Sequence, residues 1–271
     1  MTARLKAVRL DTALAASGKA RSRTHAARLI AEGQVTVDGQ TVTKASTRVD
    51  SGAVLDVPTP DHYVSRAAHK LIAALDAFAV PVRGRLALDL GASTGGFTQV
   101  LRERGARTVI ALDVGHGQLA TEVAADPGVI SVQGVNVRFL SIESLAEHSG
   151  SADRPELIVA DLSFISLRYV LPALAAVAAD EAEAIVLVKP QFEVGRTAVK
   201  DGLVTDPAAH ATVLRAVLRD AQHAGLGFRG VIASPLQGMH GNREFLVHLA
   251  PGRGNHPSDW GSVIDQVAGV A

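Results

Sequence analysis

The chain of 271 residues contains no cysteine. Disulfide bonds, thiolate metal ligands and a cysteine nucleophile are therefore excluded. Long apolar runs are also missing, because Arg168 and Pro172 interrupt the most apolar stretch, residues 162–179. A membrane-spanning helix needs about 20 predominantly apolar residues. The basic N-terminal stretch has no apolar core, so no secretory signal is predicted there. We therefore expect a cytoplasmic protein that does not enter a membrane.

Net charge is absent as well, because 27 basic residues balance 27 acidic ones. The basic residues are nevertheless concentrated near the N-terminus, where residues 1–30 contain seven basic side chains and one acidic one. Residues 1–60 contain nine basic and five acidic side chains, so their net charge is +4 and that of the remaining residues is −4. Such asymmetry is typical of a module that binds a polyanion, although a solvated basic face would produce the same numbers.

Residues 9–57 have the pattern of a compact unit. Apolar residues at helical spacing predict two short helices separated by a turn at 18–21, with Ser22 as N-cap of the second helix and Gly33 as its end. An alternating segment then leads into Asp38-Gly39, a strong hairpin signal. The proline-rich stretch after residue 57 reads as a linker. We expect a small α+β domain over residues 1–58, a linker over 59–64 and a second domain over 65–271.

Strands and helices alternate in the second domain. A helix over about 66–79 comes first, and seven apolar segments predict strands: Leu86–Leu90, Thr108–Val114, Val129–Val132, Leu157–Leu162, Ala184–Lys189, Gly230–Ser234 and Glu244–Leu249. Continuous apolar strands between helices predict a doubly wound α/β sheet. The connection between the last two strands is too short for a parallel crossover, so this pair should be antiparallel. A reversed seventh strand is typical of Rossmann-like class I methyltransferases.

The segment from Asp89 to Thr98 is a glycine-rich turn between the first strand and a helix. Glycines at 91, 95 and 96 remove side chains where backbone would approach a ligand, and Asp113 ends the next strand, where a carboxylate can accept ribose hydroxyls. A dinucleotide-binding site would instead require the glycine spacing G-x-G-x-x-G. The spacing Gly91-x-x-x-Gly95-Gly96 favours the nucleoside loop of a methyltransferase over a nicotinamide site, and a purely structural turn is a further alternative.

Four ionisable residues should meet at the carboxyl edge of this sheet. Asp161 and Lys189 end parallel strands, Glu244 begins the reversed strand, and Lys70 lies near the start of the helix before the first strand. Topology therefore brings all four to one edge, where ligands bind in such sheets. A lysine whose pKa is lowered by burial and a nearby ammonium can deprotonate a sugar hydroxyl. We predict Lys189 as the base, with Lys70 and Asp161 as orienting and electrostatic partners and Glu244 as support, although each could be an ordinary strand-end charge.

Several segments carry a family resemblance: SRAAHKL (65–71), DLGASTGGFT (89–98), DVGHGQL (113–119), DLSFISL (161–167), VKPQFEVG (188–195) and GNREFLVHL (241–249). Together they resemble the TlyA family of ribosomal RNA 2′-O-methyltransferases, related in the catalytic domain to the FtsJ/RrmJ group with its Lys-Asp-Lys-Glu tetrad. Residues 9–46 resemble an S4 RNA-binding domain. The resemblance implies methylation of a cytidine 2′-hydroxyl in ribosomal RNA, with S-adenosyl-L-methionine as cofactor and ribosomal subunits as partners.

The resemblance also assigns roles to particular residues. It implies donor binding by Asp89, Gly91, Ala92, Ser93, Thr94, Gly95, Gly96, Phe97, Thr98, Asp113, Asn136 and Asp161, and RNA-backbone binding by Arg4, Lys6, Arg9, Arg21, Arg23 and Arg28. The small domain contains no aromatic residue, so it should recognise folded RNA through phosphates rather than by base stacking. No metal site is predicted, and a monomer is the expected state.

Members of the family are also labelled hemolysins, which leaves two further alternatives. A membrane-lytic protein would need a spanning segment, a barrel pattern or a strongly amphipathic cationic helix, and none is recognisable in the sequence. A binding module that has lost its chemistry would not be expected to keep all four ionisable residues. Methyl transfer is therefore the favoured function, and the target nucleotide and the subunit stay open.

Overall fold

The computed structural model describes residues 7–20, 22–31, 33–57, 62–194, 202–238, 241–252 and 260–270. The chain divides into two compact units, residues 1–62 and residues 63–271. Of the predicted RNA-binding residues, Arg4, Lys6 and Arg21 lie outside the described residues.

The smaller unit combines two helices with a two-stranded sheet and a three-stranded sheet. Its elements are β1 (Val8–Arg9), α1 (Leu10–Ala16), α2 (Arg23–Ala31), β2 (Thr36–Val37), β3 (Gln40–Thr41), β4 (Arg48–Val49) and β5 (Leu55–Asp56). The strand orders of the two sheets are β1-β4 and β3-β2-β5. The predicted helix start is confirmed, since the Ser22 hydroxyl accepts the backbone N–H of His25 at 3.1 Å. The hairpin is also confirmed: Asp38 and Gly39 both have positive φ, as a tight turn between β2 and β3 requires.

The larger unit is a seven-stranded sheet with helices on both faces. Its elements are α3 (Ala67–Phe78), β6 (Leu86–Leu90), α4 (Gly96–Glu103), β7 (Thr108–Asp113), α5 (Thr121–Ala124), β8 (Val129–Gln133), α6 (Ile142–Ser149), β9 (Leu157–Ala160), α7 (Leu171–Val177), β10 (Glu183–Val188), α8 (Pro190–Glu193), α9 (Pro207–His223), β11 (Leu226–Ala233), β12 (Phe245–Pro251) and α10 (Gly261–Ala268).

The strand order is β11-β12-β10-β9-β6-β7-β8, and β12 is antiparallel to both of its neighbours. The other neighbouring strands pair in parallel. The predicted fold class, with a reversed last strand, is therefore confirmed. One apolar core joins the sheet to α3 and α4, and a second joins its other face to α7, α9 and α10. Burial on both faces explains why the parallel strands are almost continuously apolar.

Two strand predictions need correction. The sixth strand begins at Leu226 rather than at Gly230, because the pairing of β11 with β12 continues through a register shift between Phe228 and Gly230. Such a bulge admits an extra residue without ending the strand, so a glycine there does not mark a strand start. The polar residues expected within strand ends also lie just outside them: Asp161 and Lys189 follow β9 and β10, and Glu244 precedes β12.

Candidate active site

The turn after β6 is held against the end of β7. The backbone N–H groups of Gly91 and Ala92 both donate to the carbonyl of Leu112, at 2.8 and 3.1 Å. The Asp113 carboxylate accepts the backbone N–H groups of Ser93 and Gly115, each at 2.8 Å. The glycine turn and the acid that ends the next strand are therefore one connected structure.

The glycines of this turn make room for protein atoms. A Cβ added to Gly91 would lie 2.7 Å from the carbonyl oxygen of Asp161, and one at Gly95 would lie 2.8 Å from the side chain of Leu119. A Cβ at Gly96 would lie 2.8 Å from Ser65. We expected these positions to admit a ligand, but the close approaches in the structure join the turn to neighbouring segments. Gly91 and Gly95 also have φ values of +84° and +96°, which glycine adopts without strain.

Asp89 lies beneath the turn. Its carboxyl accepts the hydroxyl of Thr98 at 2.6 Å, and both residues are 0% exposed. The other oxygen, Oδ1, is buried with no hydrogen-bond partner among the described residues. Burial raises the pKa of Asp89 to about 7. Among the predicted donor-binding residues, Asp89 and Thr98 therefore support the turn from below and do not form the cleft wall.

Two clefts open beside the turn. The larger has a volume of about 810 Å³, and its lining includes Gly91, Ser93, Asp113, Asn136 and Asp161. The smaller has a volume of about 170 Å³, and its lining adds Ala92, Thr94, Gly96, Phe97 and Lys189. Most of the predicted donor-binding residues thus surround adjoining spaces at one edge of the sheet, and Gly91, Ser93, Asp161 and Ser163 line both.

The first of two ion pairs at this edge lies on the wall of the smaller cleft. The Nζ atom of Lys189 is 2.7 Å from Oδ1 of Asp161, and the two side chains are 11% and 16% exposed. Asp161 Oδ1 nevertheless has no aligned hydrogen bond. The amine instead donates to the hydroxyl of Ser163 at 2.9 Å. The contact with Asp161 is therefore electrostatic, and Ser163 is the hydrogen-bond acceptor of the amine. Sequence reasoning missed Ser163, and its position two residues after Asp161 is the available signal.

The second ion pair is buried. Lys70 Nζ lies 2.5 Å from Glu244 Oε2, and the side chains are 8% and 3% exposed. Because Val188 pairs with Phe245, Lys189 and Glu244 follow and precede that pair at the same edge. Gly238 packs so closely on the Glu244 carboxylate that a Cβ there would collide with it. The topology thus brings the four predicted residues to one edge, but as two pairs, one against the cleft and one in the interior.

Aromatic and arginine side chains line the mouth of the larger cleft. The Phe164 side chain is 85% exposed, and its backbone is left-handed with a φ of +64°. Its ring lies 5.1 Å from that of Phe192. The guanidinium of Arg138 lies 4.6 Å from the centre of the Tyr169 ring. These residues were absent from the sequence predictions. For Phe164, the only signal in the sequence was an aromatic residue within the motif DLSFISL. The exposure of its side chain and its left-handed backbone cannot be predicted from a sequence pattern.

The described cationic residues of the smaller unit include a linked pair. The Asp11 carboxylate accepts hydrogen bonds from Arg9, at 3.0 and 2.9 Å, and from Arg23, at 3.3 Å. The hydrogen bond from Arg9 holds the pKa of Asp11 well below its usual range. Side-chain exposures of 43% for Arg9 and 62% for Arg23 leave both cations accessible, and Arg28 is exposed on α2. One buried acid thus orients two of the predicted RNA-binding residues.

Membrane-spanning helices and metal-binding clusters are both missing from the part of the chain that the structure describes. None of the helices there is both long enough and apolar enough to cross a membrane. Within the same residues, no group of three or more histidine and acidic side chains is arranged to hold a metal ion.

Comparisons with known proteins give a consistent result. Residues 63–250 match the model for FtsJ-like methyltransferases, and residues 8–55 match the S4 domain. The 16S/23S rRNA (cytidine-2'-O)-methyltransferase TlyA of Mycobacterium tuberculosis is 48% identical over 244 residues, which cover 89% of each chain. Hemolysin A of Brachyspira hyodysenteriae is 34% identical over 89% of this chain and 99% of its own. A solved structure named as a hemolysin from Streptococcus thermophilus has a TM-score of 0.75 and 35% identity, covering 98% of this chain and 95% of that one.

The strand order with its reversed last strand and the glycine turn after β6 define a class I methyltransferase fold. The match to a methyltransferase model also resolves the choice that glycine spacing left open, against a nicotinamide-dependent enzyme. The chain belongs to the FtsJ-like methyltransferases and, by its similarity over most of its length, to the TlyA family.

Proposed function

We propose that this chain transfers a methyl group from S-adenosyl-L-methionine to a ribose 2′-hydroxyl, that of a cytidine, in ribosomal RNA. The observation that carries the proposal is the Lys189–Asp161 pair, 2.7 Å apart on the wall of the clefts beside the glycine turn. The relative from M. tuberculosis is named for this reaction on 16S and 23S rRNA. Because ribosomal RNA is the substrate, the cytoplasm is the expected place of action.

The described residues fit the donor. A volume of about 810 Å³ lies within the range of small-molecule sites. Asp113 accepts one backbone N–H on each oxygen, and because an ionised carboxylate has about four acceptor positions, two ribose hydroxyls can still bind. Asn136, Gly91 and Ser93 complete the wall between Asp113 and Asp161. When bound, the donor would supply an electrophilic methyl group on its sulfonium.

The chain's own residues would activate the acceptor. Once its Nζ has lost a proton to solvent, Lys189 accepts the proton of the 2′-hydroxyl there, while Asp161 and the Ser163 hydroxyl hold the amine in place. The buried Lys70–Glu244 pair supports the same edge from within, because Glu244 compensates the charge of Lys70. Catalysis by positioning and proton transfer requires no metal ion.

RNA would be held by both units. The S4 unit, assigned to residues 1–58 and joined by a linker at 59–64 to the catalytic domain over 65–271, binds phosphates through its basic residues, Arg4, Lys6, Arg9, Arg21, Arg23 and Arg28. In the catalytic domain, the exposed Phe164 ring at the cleft mouth can stack on a base that has left its helix, and Arg138 can bind the adjoining backbone.

The test is methyl transfer with the purified full-length chain. Small and large ribosomal subunits and a labelled donor are supplied, and the product is mapped by nuclease digestion and mass spectrometry. We expect 2′-O-methylcytidine, and Lys189→Ala should lower turnover by at least about a hundredfold with little change in donor affinity. Arg107→Ala is a matched control, because it removes a cation from just before β7, at the opposite edge of the sheet. An unmodified ribose, or full activity of Lys189→Ala, would contradict the proposal.

A further inference from the structure

Glu193, the last residue of α8, joins the segment that carries Lys189 to the loop that carries Asp161. Its Oε2 atom accepts the hydroxyl of Ser166 at 2.6 Å, and its Oε1 atom accepts the backbone N–H of Leu167 at 3.0 Å. Both donors belong to residues 161–167, which we name the aromatic loop after Phe164 at its centre. One carboxylate therefore makes two hydrogen bonds to the end of this loop.

Burial alone does not hold the centre of the aromatic loop in its conformation. Phe164 has a φ of +64°, a backbone conformation that costs a non-glycine residue on the order of 1 kcal/mol, and its ring is 85% exposed. Leu162 and Ile165 pack on the core on either side, so burial holds the flanks of the loop. The exposed Phe164 gains little from burial itself, and its conformation must be maintained by neighbouring contacts.

Glu193 is a carboxylate held by uncharged hydrogen-bond donors. It is partly buried, and its recorded partners among the described residues are a hydroxyl and an N–H group rather than a cation. Burial raises the pKa of Glu193, which shows that the environment disfavours the charged form. The hydrogen bonds from Ser166 and Leu167 favour the charged form in turn, and they fix the position of the loop.

The same two segments meet at two other points. Lys189 contacts Asp161 and Ser163 at one end of the loop, and the Phe192 ring packs 5.1 Å from that of Phe164 at its centre. A shift of the loop away from α8 would therefore move the base, its acid partner and the exposed ring relative to one another.

We propose that Glu193 is a positioning residue, which ties the aromatic loop to α8 so that Phe164 and the Lys189–Asp161 pair receive the RNA nucleotide together. The inference rests on the proposed function. Glu193 touches neither the donor nor the reacting ribose and acts through the loop.

The experiment compares full-length variants in steady-state methylation of ribosomal subunits. Glu193→Ala should raise KM for RNA or lower kcat, with kcat/KM about tenfold below that of the unsubstituted chain, because two hydrogen bonds to the loop are lost. Glu193→Gln should retain most activity, since the amide oxygen can accept the N–H of Leu167 and the Ser166 hydroxyl can rotate to accept from the amide nitrogen. Donor affinity, measured by calorimetry, should change less than about twofold in both. Glu181→Ala is the matched control, an exposed acid before β10 at the opposite edge.

A double-mutant cycle with Phe164→Ala separates positioning from general stability. If Glu193 acts through the loop, Glu193→Ala should lower kcat/KM by clearly less than about tenfold once Phe164 is truncated, because only its effect on the Lys189–Asp161 pair is left. A lower melting temperature with unchanged kcat and KM, or effects that simply add, would overturn the positioning role. Should Glu193→Ala fail to fold, Ser166→Ala removes one of the two bonds and should lower kcat/KM about threefold; no effect there would also overturn it. An unsubstituted chain inactive on ribosomal RNA would instead refute the proposed function.

Discussion

Asp89→Asn should remove a pH-dependent loss of stability. Asp89 is 0% exposed, and burial raises the pKa of its carboxyl from 3.8 to about 7. The folded state therefore holds this proton more tightly than the unfolded chain. The resulting stabilisation is complete below pH 3.8 and is lost as the pH rises through 7. At about 1.4 kcal/mol per pKa unit, the free energy of unfolding falls by about 4 kcal/mol across that window, and by about 3 kcal/mol between pH 5 and pH 8.

Urea unfolding of the full-length chain at pH 5 and pH 8 measures this difference. Trp260 is the only tryptophan and packs edge-on against Phe228 at 4.6 Å, so its fluorescence reports on the larger unit. Asn can keep a hydrogen bond to Thr98 but cannot ionise, so the variant should lose about 3 kcal/mol less between the two pH values. Groups elsewhere titrate equally in both proteins. Asp153→Asn, at a side chain 68% exposed, should behave like the unsubstituted chain. An Asp89→Asn variant with the original pH dependence would refute the reasoning.

Three further predictions concern the site and the S4 unit. Gly91→Ala should cost about 2–3 kcal/mol in thermal unfolding and weaken donor binding, because φ is +84° and the Cβ would lie 2.7 Å from the Asp161 carbonyl; unchanged values would contradict the packing account. Glu244→Leu should cost about 3–5 kcal/mol in urea unfolding by leaving Lys70 buried and unpaired, and adding Lys70→Met should recover most of that cost; a double variant no more stable than the single one would argue against a buried ion pair. Arg23→Ala should reduce the salt dependence of RNA affinity by a slope of about one; an unchanged slope in filter binding would exclude a phosphate contact.

The glycines of the turn have a packing role that their spacing did not predict. The spacing of Gly91, Gly95 and Gly96 predicted a donor-binding loop, and several residues of this loop line the clefts. Yet each glycine also makes room for a specific protein neighbour, Asp161, Leu119 or Ser65. These neighbours lie on other segments of the chain, so the sequence of the turn holds no information about them.

For the four ionisable residues, the sequence predicted the edge of the sheet at which they lie but not how they pair. Their positions at strand ends and near a helix start were sufficient to place all four at one edge, because parallel strands end together and a helix returns to the edge from which the next strand departs. Which lysine meets which acid could not be read from the chain. Lys70 pairs with Glu244, 174 residues away, and Lys189 with Asp161.

By itself, the amino-acid sequence determined the order and type of most elements, the reversed last strand, the small N-terminal domain and the edge at which the four ionisable residues lie. These features depend on periodicity, turn residues and connection length, which are local properties of the chain. Only the tertiary structure decided that one ion pair is buried while the other faces the clefts, that Asp89 lies beneath the turn, and that Glu193 holds the loop of Phe164. Burial, pairing and a left-handed backbone arise from contacts between distant segments, and such contacts exist only once the chain has packed.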